Sequence, residues 1–277
     1  MDPLDSPYAY LHVYLIDGVV TEEDERLLGE AFIGTWLEDD TSFLFFSRPD
    51  REEVLGLIGA KPKLRLTEEH RFTYEEWHGG PIEPVRVERF LIAPAWKRLP
   101  VEPGVLEIIM DPGVVFGTGL HPTTRDCLKA MLHVERDGPL GRVLDLGTGT
   151  GILAVAAAML GADEVVAVDL NPLCVKTAMK NVKLNRLDGK VLAVWGKAED
   201  FSAHEADLVI ANLHYDVLGT LLKAGAFRRG NWTIFSGLLR SQADEFRSRL
   251  ASSHLQVVRE WDHERTWFTL LVKSGGA

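Results

Sequence analysis

The chain has 277 residues, of which 46% are hydrophobic and 26% charged, with a formal net charge of −11. This is ordinary globular composition, long enough for two domains, without repeats or low-complexity tracts. The longest apolar run near the centre, Ile152 to Leu160, is too short to cross a bilayer. Cys127 and Cys174 lie too far apart for a Cys-x-x-Cys pair, which excludes a disulfide scaffold or zinc knuckle.

The N-terminal Met-Asp-Pro-Leu-Asp lacks the basic-then-apolar layout of a signal peptide, so a cytoplasmic location without membrane partners is expected. Residues 1–69 hold 16 Asp/Glu against 6 Lys/Arg, and the remainder is near neutral. Without a phosphate-gripping basic surface, no direct binding of duplex nucleic acid is expected. The acidic front suits a basic protein partner, and equally suits a solvated surface that aids solubility.

In chain order, Tyr8 to Ile16 has strand composition. Thr21-Glu-Glu-Asp24 reads as a capping box opening a helix with Leu27, Leu28, Ala31 and Phe32 on its apolar side. Short strands follow at 35–37 and 42–46, then a helix from Asp50 to about Gly59 and a strand at 63–66. The order β-α-β-β-α-β is that of a ferredoxin-like α+β unit, assigned to residues 1–69. Residues 70–105, rich in aromatics and prolines, read as a packed connector, with strand-like stretches at 83–92 and 104–110.

From Gly141 strands and helices alternate. Strands are expected at 143–146, 164–169, 190–195, 207–212, 231–236, 255–261 and 266–272, and helices at 152–160, 172–185, 217–226 and 241–250. Alternation predicts an α/β fold with a mostly parallel sheet covered on both faces. Only His263-Glu-Arg265 separates the last two strands, so they form an antiparallel hairpin.

At the centre stands Asp145-x-Gly147-x-Gly149-x-Gly151, an acid ending a buried strand, a glycine turn and a helix start. The dinucleotide fingerprint G-x-G-x-x-G fails, because its third glycine would fall on Ile152. The spacing resembles the first motif of class I methyltransferases, whose glycines lie under the methionine part of S-adenosyl-L-methionine. Asp169, with Leu170 beside it, ends the next strand, where a carboxylate accepts from both ribose hydroxyls; its alternative role is to cap the Pro172 helix, for which Asn171 is better placed. The resemblance further places Ala198 and Glu199 beside adenine.

Upstream, Phe116-Gly117-Thr118-Gly119-Leu-His121-Pro-Thr123-Thr124 forms a shaped loop before a helix bearing Leu128, Met131 and Leu132. Thr123 or Thr124 is expected to cap that helix, whose free N–H groups suit a carboxylate as well as an ordinary cap. Asn212 ends the fourth strand of the alternating region, where ligands gather in such folds. Its side-chain oxygen can accept the hydrogens of an incoming amine, with His214 and Tyr215 as proton relays or simply packing residues. Ser236 is not in a G-x-S-x-G turn, the histidines lack metal-ligand spacing, and no metal is expected.

Together the segments DPGVVFGTGLHPTT (111–124), VLDLGTGTGILAVAA, VVAVDLNP, VIANL and FSGLL resemble the ribosomal protein L11 methyltransferases over about residues 72–239. The resemblance implies a methyltransferase domain at 106–277, a substrate-recognition role for 1–69, and cofactor contacts at Thr124, Gly147, Asp169 and Asn212. It implies S-adenosyl-L-methionine-dependent N-methylation of lysine and α-amino groups on a ribosomal protein. A methyltransferase acting on another protein, a small molecule or a nucleobase is the first alternative. A non-catalytic module built on the same fold is the second.

Overall fold

The computed structural model describes residues 6–225, 227, 232–253 and 255–274. The N-terminal pentapeptide, the expected helix end at Ala226 and the expected strand start at Asn231 lie outside the described residues. No helix among the described residues is long and apolar enough to cross a membrane. The chain divides into two compact units, Met1–Glu83 and Pro84–Ala277. Residues 70–83 of the stretch 70–105 fall in the first unit and 84–105 in the second.

The first unit runs β1 (Tyr10–Asp17), α1 (Glu22–Glu25), β2 (Phe32–Glu38), β3 (Thr41–Phe46), α2 (Arg51–Ala60), β4 (Arg65–Thr73) and α3 (Tyr74–Trp77). Its sheet has the order β2-β3-β1-β4, antiparallel at every step, which is the ferredoxin-like arrangement expected. Tyr14, Ile16, Leu44, Phe46, Val54 and Leu57 form the core of this unit. The capping box forms: Thr21 Oγ1 accepts from Asp24 N and Asp24 Oδ2 accepts from Thr21 N. The helix it opens stops after one turn, however, and Phe32 begins a strand. The chain leaves helical geometry just past Arg26, where Leu27 N and Leu28 N donate to Asp24 O and Glu25 O in tighter turns, and Gly29 N then donates to Glu53 Oε2 at 2.7 Å.

The second unit opens with a small sheet of β5 (Val85–Val87), β6 (Phe90–Pro94) and β7 (Leu106–Met110) in that order. The strand expected over 83–92 is in fact a hairpin, turned at Glu88, whose φ of 52° lies in the left-handed region. There follow α4 (Pro122–Asp137), β8 (Arg142–Leu146), α5 (Ile152–Met159), β9 (Glu164–Asp169), α6 (Pro172–Leu184) and β10 (Val191–Trp195). Then come a 3₁₀ turn (Ala198–Phe201), β11 (Leu208–Asn212), α7 (Tyr215–Lys223), β12 (Trp232–Leu239), α8 (Arg240–Ser252), β13 (Leu255–His263) and β14 (Trp267–Ser274).

The large sheet is ordered β10-β9-β8-β11-β12-β14-β13. Every neighbouring pair is parallel except those made by β14, which is antiparallel to both β12 and β13. The hairpin is joined by residues 264–266; Glu264 and Arg265 have positive φ (52° and 55°), and Thr266 N donates to His263 O at 2.9 Å to close the turn. Alternate residues of each strand supply two cores, for example Val143, Val165, Leu208 and Ile234 on one face and Leu144, Val166, Val209 and Phe235 on the other. Helix α5 is apolar all round and almost wholly buried, which is why its sequence shows no polar stripe.

One buried side chain ties the upstream loop to this sheet. Asn181 of α6 accepts from Asp111 N (2.8 Å) and donates to Asp111 O (3.1 Å) and Thr150 O (2.8 Å). Lys180 adds an ion pair to Asp111. Asn181→Ala would leave three buried backbone groups without their partner, so we expect it to lower unfolding stability by about 3 kcal/mol or more. Denaturant titration checks this; a loss below about 1 kcal/mol would mean that the tie is dispensable.

Candidate active site

The glycine turn sits at the carboxyl end of β8, the middle one of the five parallel strands, where the strand order reverses direction. Two of its glycines are required by close packing. A Cβ on Gly149 (φ +55°) would lie 2.6 Å from Phe116 O, and one on Gly151 (φ +82°) would lie 3.0 Å from Ala178 Cβ. Gly147 approaches Leu213, next to Asn212, in the same manner. The loop 116–119 is bonded to this turn through Thr150, whose amide donates to Phe116 O (3.1 Å) and whose hydroxyl donates to Gly117 O (2.7 Å). The structure therefore brings together the two loops that carry the sequence motifs.

Asp169 ends β9 beside the turn. Its Oδ2 accepts from Gly149 N and its Oδ1 from Asn171 N, each at 2.9 Å. Each oxygen keeps a second lone pair for a hydroxyl. Burial raises its pKa, while these N–H donors pull the other way. Asn171 caps α6 by accepting from Leu173 N, which leaves the carboxylate of Asp169 free of that duty.

Asp145 is 1% exposed. Thr148 Oγ1 donates to its Oδ2 (2.6 Å), while Oδ1 has no partner among the described residues. Desolvation pushes its pKa up to about 7, helped by the nearby charge of Asp169. Asp169, whose two oxygens each keep a lone pair at the edge of the turn, favours a ligand that carries hydroxyls. Leu170 and Trp195 flank Asp169 and are 62% exposed each, with Trp195 Nε1 donating to Leu170 O (2.9 Å). These apolar surfaces suit a flat ring. Ala198 is half-buried and Glu199 exposed on the 3₁₀ turn after β10. The residues present thus fit S-adenosyl-L-methionine, a cation with a ribose and a purine.

The start of α4 differs from expectation. His121, not Thr123 or Thr124, is the capping residue, because Pro122 takes the first helical position. Both threonines are buried inside the first turn. The His121 ring lies between Phe116 (centroids 5.3 Å) and Trp267 of β14 (5.0 Å), edge to face in both cases. Thr118 Oγ1 accepts from Leu120 N (3.3 Å), which shapes the loop. Phe116 is 55% exposed, unusually open for an aromatic in a loop otherwise folded inward.

Asn212 lies at the end of β11, half-buried, with Nδ2 donating to Thr123 Oγ1 at 3.3 Å. His214 is exposed at the start of α7. The Tyr215 ring turns toward α8 instead, edge-on to Phe246 (6.2 Å) and under the guanidinium of Arg249. Burial and the neighbouring Glu245 raise its pKa. The structure therefore groups Asn212 with His121 and Thr123, while Tyr215 joins the core beneath the sheet.

Sequence reading missed Thr150, Asn181, Trp195 and Trp267. Asn181 had a signal, a lone amide on the buried face of an otherwise apolar and lysine-rich helix. Trp267 had none, since only the hairpin pairing brings it to His121.

The strand order, the reversed inner strand and the glycine turn at the switch point define a class I methyltransferase fold. The family model described as ribosomal protein L11 methyltransferase (PrmA) matches residues 47–275. The ribosomal protein L11 methyltransferase of Pelotomaculum thermopropionicum is 41% identical over 194 residues, which is 69% of this chain and 62% of that protein. The protein of the same name from Aquifex aeolicus is 34% identical over 226 residues, 81% of this chain and 83% of its own. The crystal structure of a ribosomal protein L11 methylase from Lactobacillus delbrueckii subsp. bulgaricus superposes with a TM-score of 0.59 at 28% identity, covering 70% of this chain and 100% of that one. The chain belongs to the ribosomal protein L11 methyltransferase family. Its match spans less than two thirds of the Pelotomaculum relative's own length.

Asp145 yields a pH prediction. With a folded pKa near 7 against an ordinary value of 3.8, the native state holds a proton that the unfolded chain has lost between those limits. This group's contribution to stability is therefore full below pH ~4 and falls as pH rises toward ~7. Asp145→Asn should accordingly gain melting temperature relative to wild type as pH is raised from about 5 to 8. A difference that is flat across this range in paired thermal melts would refute the shifted ionisation.

Proposed function

We propose that the protein transfers methyl groups from S-adenosyl-L-methionine to amino nitrogens of a ribosomal protein, ribosomal protein L11 by analogy with its named relatives. The observation that carries the reading is the joining of the glycine turn, Asp169 and Asn212 at one end of a class I sheet in a chain of this family. When bound, S-adenosyl-L-methionine supplies an electrophilic methyl on a sulfonium sulfur. Asp169 would accept from the ribose hydroxyls, the glycine-turn backbone would underlie the amino-acid tail, and Thr124 and the α4 start would receive its carboxylate. Leu170, Ala198 and Glu199 would border the adenine.

Methyl transfer is an in-line displacement on an already activated carbon, so orientation dominates over acid–base help. Asn212 Oδ1 accepts an N–H of the neutral amine and thereby aims its lone pair. The amine reaches that neutral form by losing its proton, which the exposed His214 would pass to solvent. The acidic excess of residues 1–69 supports attraction of a basic protein substrate.

Incubation with methyl-labelled cofactor and purified ribosomal protein L11, followed by mass spectrometry, should place label on amino groups of that protein. Wild-type protein that binds no S-adenosyl-L-methionine in calorimetry would end the proposal, and label appearing on RNA instead would redirect it. Asp169→Ala should weaken cofactor binding by about 1–3 kcal/mol. Residues 84–277 alone should keep cofactor affinity and lose methylation of the protein substrate; undiminished methylation would refute a recruiting role for the first unit.

A further inference from the structure

The start of α4 contains a hydrogen-bond chain whose direction can be worked out from one backbone group. Thr123 N–H, which can only donate, points at His121 Nδ1 at 3.4 Å. Nδ1 is therefore the unprotonated ring nitrogen, and the proton of this neutral histidine sits on Nε2. Burial and the neighbouring His263 both lower the His121 pKa, which holds the ring in that neutral form. Thr123 Oγ1 lies 2.7 Å from the same Nδ1. Since Nδ1 carries no proton, the Thr123 hydroxyl donates to it in the short contact, and the longer N–H contact shares the same lone pair.

That donation uses the only hydroxyl proton, so Thr123 Oγ1 meets its other neighbour as an acceptor. The neighbour is the Asn212 amide at 3.3 Å. The group facing Thr123 must then be the Asn212 NH₂, and Oδ1 is turned to the opposite side. Among the described residues none donates to that Oδ1. Gly237 adjoins that oxygen, and a Cβ there would lie 3.3 Å from Oδ1.

The backbone of Thr123 is held from behind. Thr123 is 1% exposed, and its carbonyl lies 3.5 Å from the Ser236 hydroxyl, which in turn bonds Thr269 Oγ1 at 2.6 Å. Ser236 and Thr269 are fully buried on β12 and β14. The backbone of the helix start is thus fastened to the sheet, which fixes where the Thr123 side chain begins.

We propose that Thr123 is a positioning residue for methyl transfer: its hydroxyl, relayed from the α4 start through His121, fixes the Asn212 amide with its oxygen toward the incoming amine. The inference rests on the reading that Asn212 accepts that amine. In the reversed orientation Asn212 would present NH₂ to the amine, a donor facing N–H groups, and the lone pair would lose its guide.

The test compares Thr123→Val, Thr123→Ser, Asn212→Asp and the double variant Thr123→Val/Asn212→Asp, with Asn212→Ala as reference. Turnover is measured on ribosomal protein L11, cofactor affinity by calorimetry, and folding by thermal melts. Thr123→Val, nearly the same shape without the hydroxyl, should lower kcat roughly ten- to a hundred-fold with KM and cofactor affinity changed little. Thr123→Ser should restore most of the loss. Aspartate at 212 has two equivalent oxygens and no wrong way round, so adding Thr123→Val to Asn212→Asp should cost almost nothing further. A full Thr123→Val penalty in that background, or wild-type kcat in Thr123→Val while Asn212→Ala is crippled, overturns the positioning role alone. Wild-type kcat in Asn212→Ala overturns the reading of Asn212 itself. A wild-type measurement stands apart from any folding defect in the variants: ¹⁵N shifts of His121 should report the Nε2–H tautomer, and a protonated Nδ1 would reverse the chain and end the proposal.

Discussion

Thr150 is the residue on which the site's geometry depends. Its amide and hydroxyl hold the carbonyls of Phe116 and Gly117, and its own carbonyl is held by Asn181. All three bonds are buried or nearly so, and each joins segments far apart in sequence. Buried backbone groups that lack a partner cost more than such bonds contribute when made, so the loops cannot separate one at a time. Gly149 and Gly151 make this approach possible by removing the side chains that would hold the loops and α6 apart.

Much of this architecture was legible in the sequence because two periodicities carry it. The alternation of apolar strands with helices from Gly141 onward gave the parallel sheet, and the short His263-Glu-Arg265 link gave the reversed strand. Where reading failed, a local rule met a stronger tertiary one. The first helix ended after one turn, and the chain beyond it is held instead by Gly29 N donating to Glu53, 24 residues away. The strand expected over 83–92 broke at Glu88, a residue type that rarely takes positive φ and so gave no turn signal.

The site divides in the same way. Residues that act through their type and spacing, such as Gly149, Asp169 and Asn212, stand out in a single sequence. Those that act through partners do not: Thr123 and Thr124 read alike, and only Pro122, which moves the cap back to His121, separates their roles. Asp145 illustrates a tension common to ligand sites. A carboxyl buried with one oxygen unpartnered weakens the folded state, and such a group is retained where a ligand can answer it.

The place of β14 has a consequence for how the domain is made. It is the final strand of the sheet in sequence, yet it lies inside the sheet between β12 and β13. During synthesis from the N-terminus, β12 emerges with one edge open, and β13 has no sheet to join until residues 267–274 leave the ribosome. The nascent domain therefore carries an unpaired, apolar strand edge until nearly all of its sheet has been translated. Trp267 arrives on that same strand, so the aromatic wall beside His121 is assembled only when the sheet is complete.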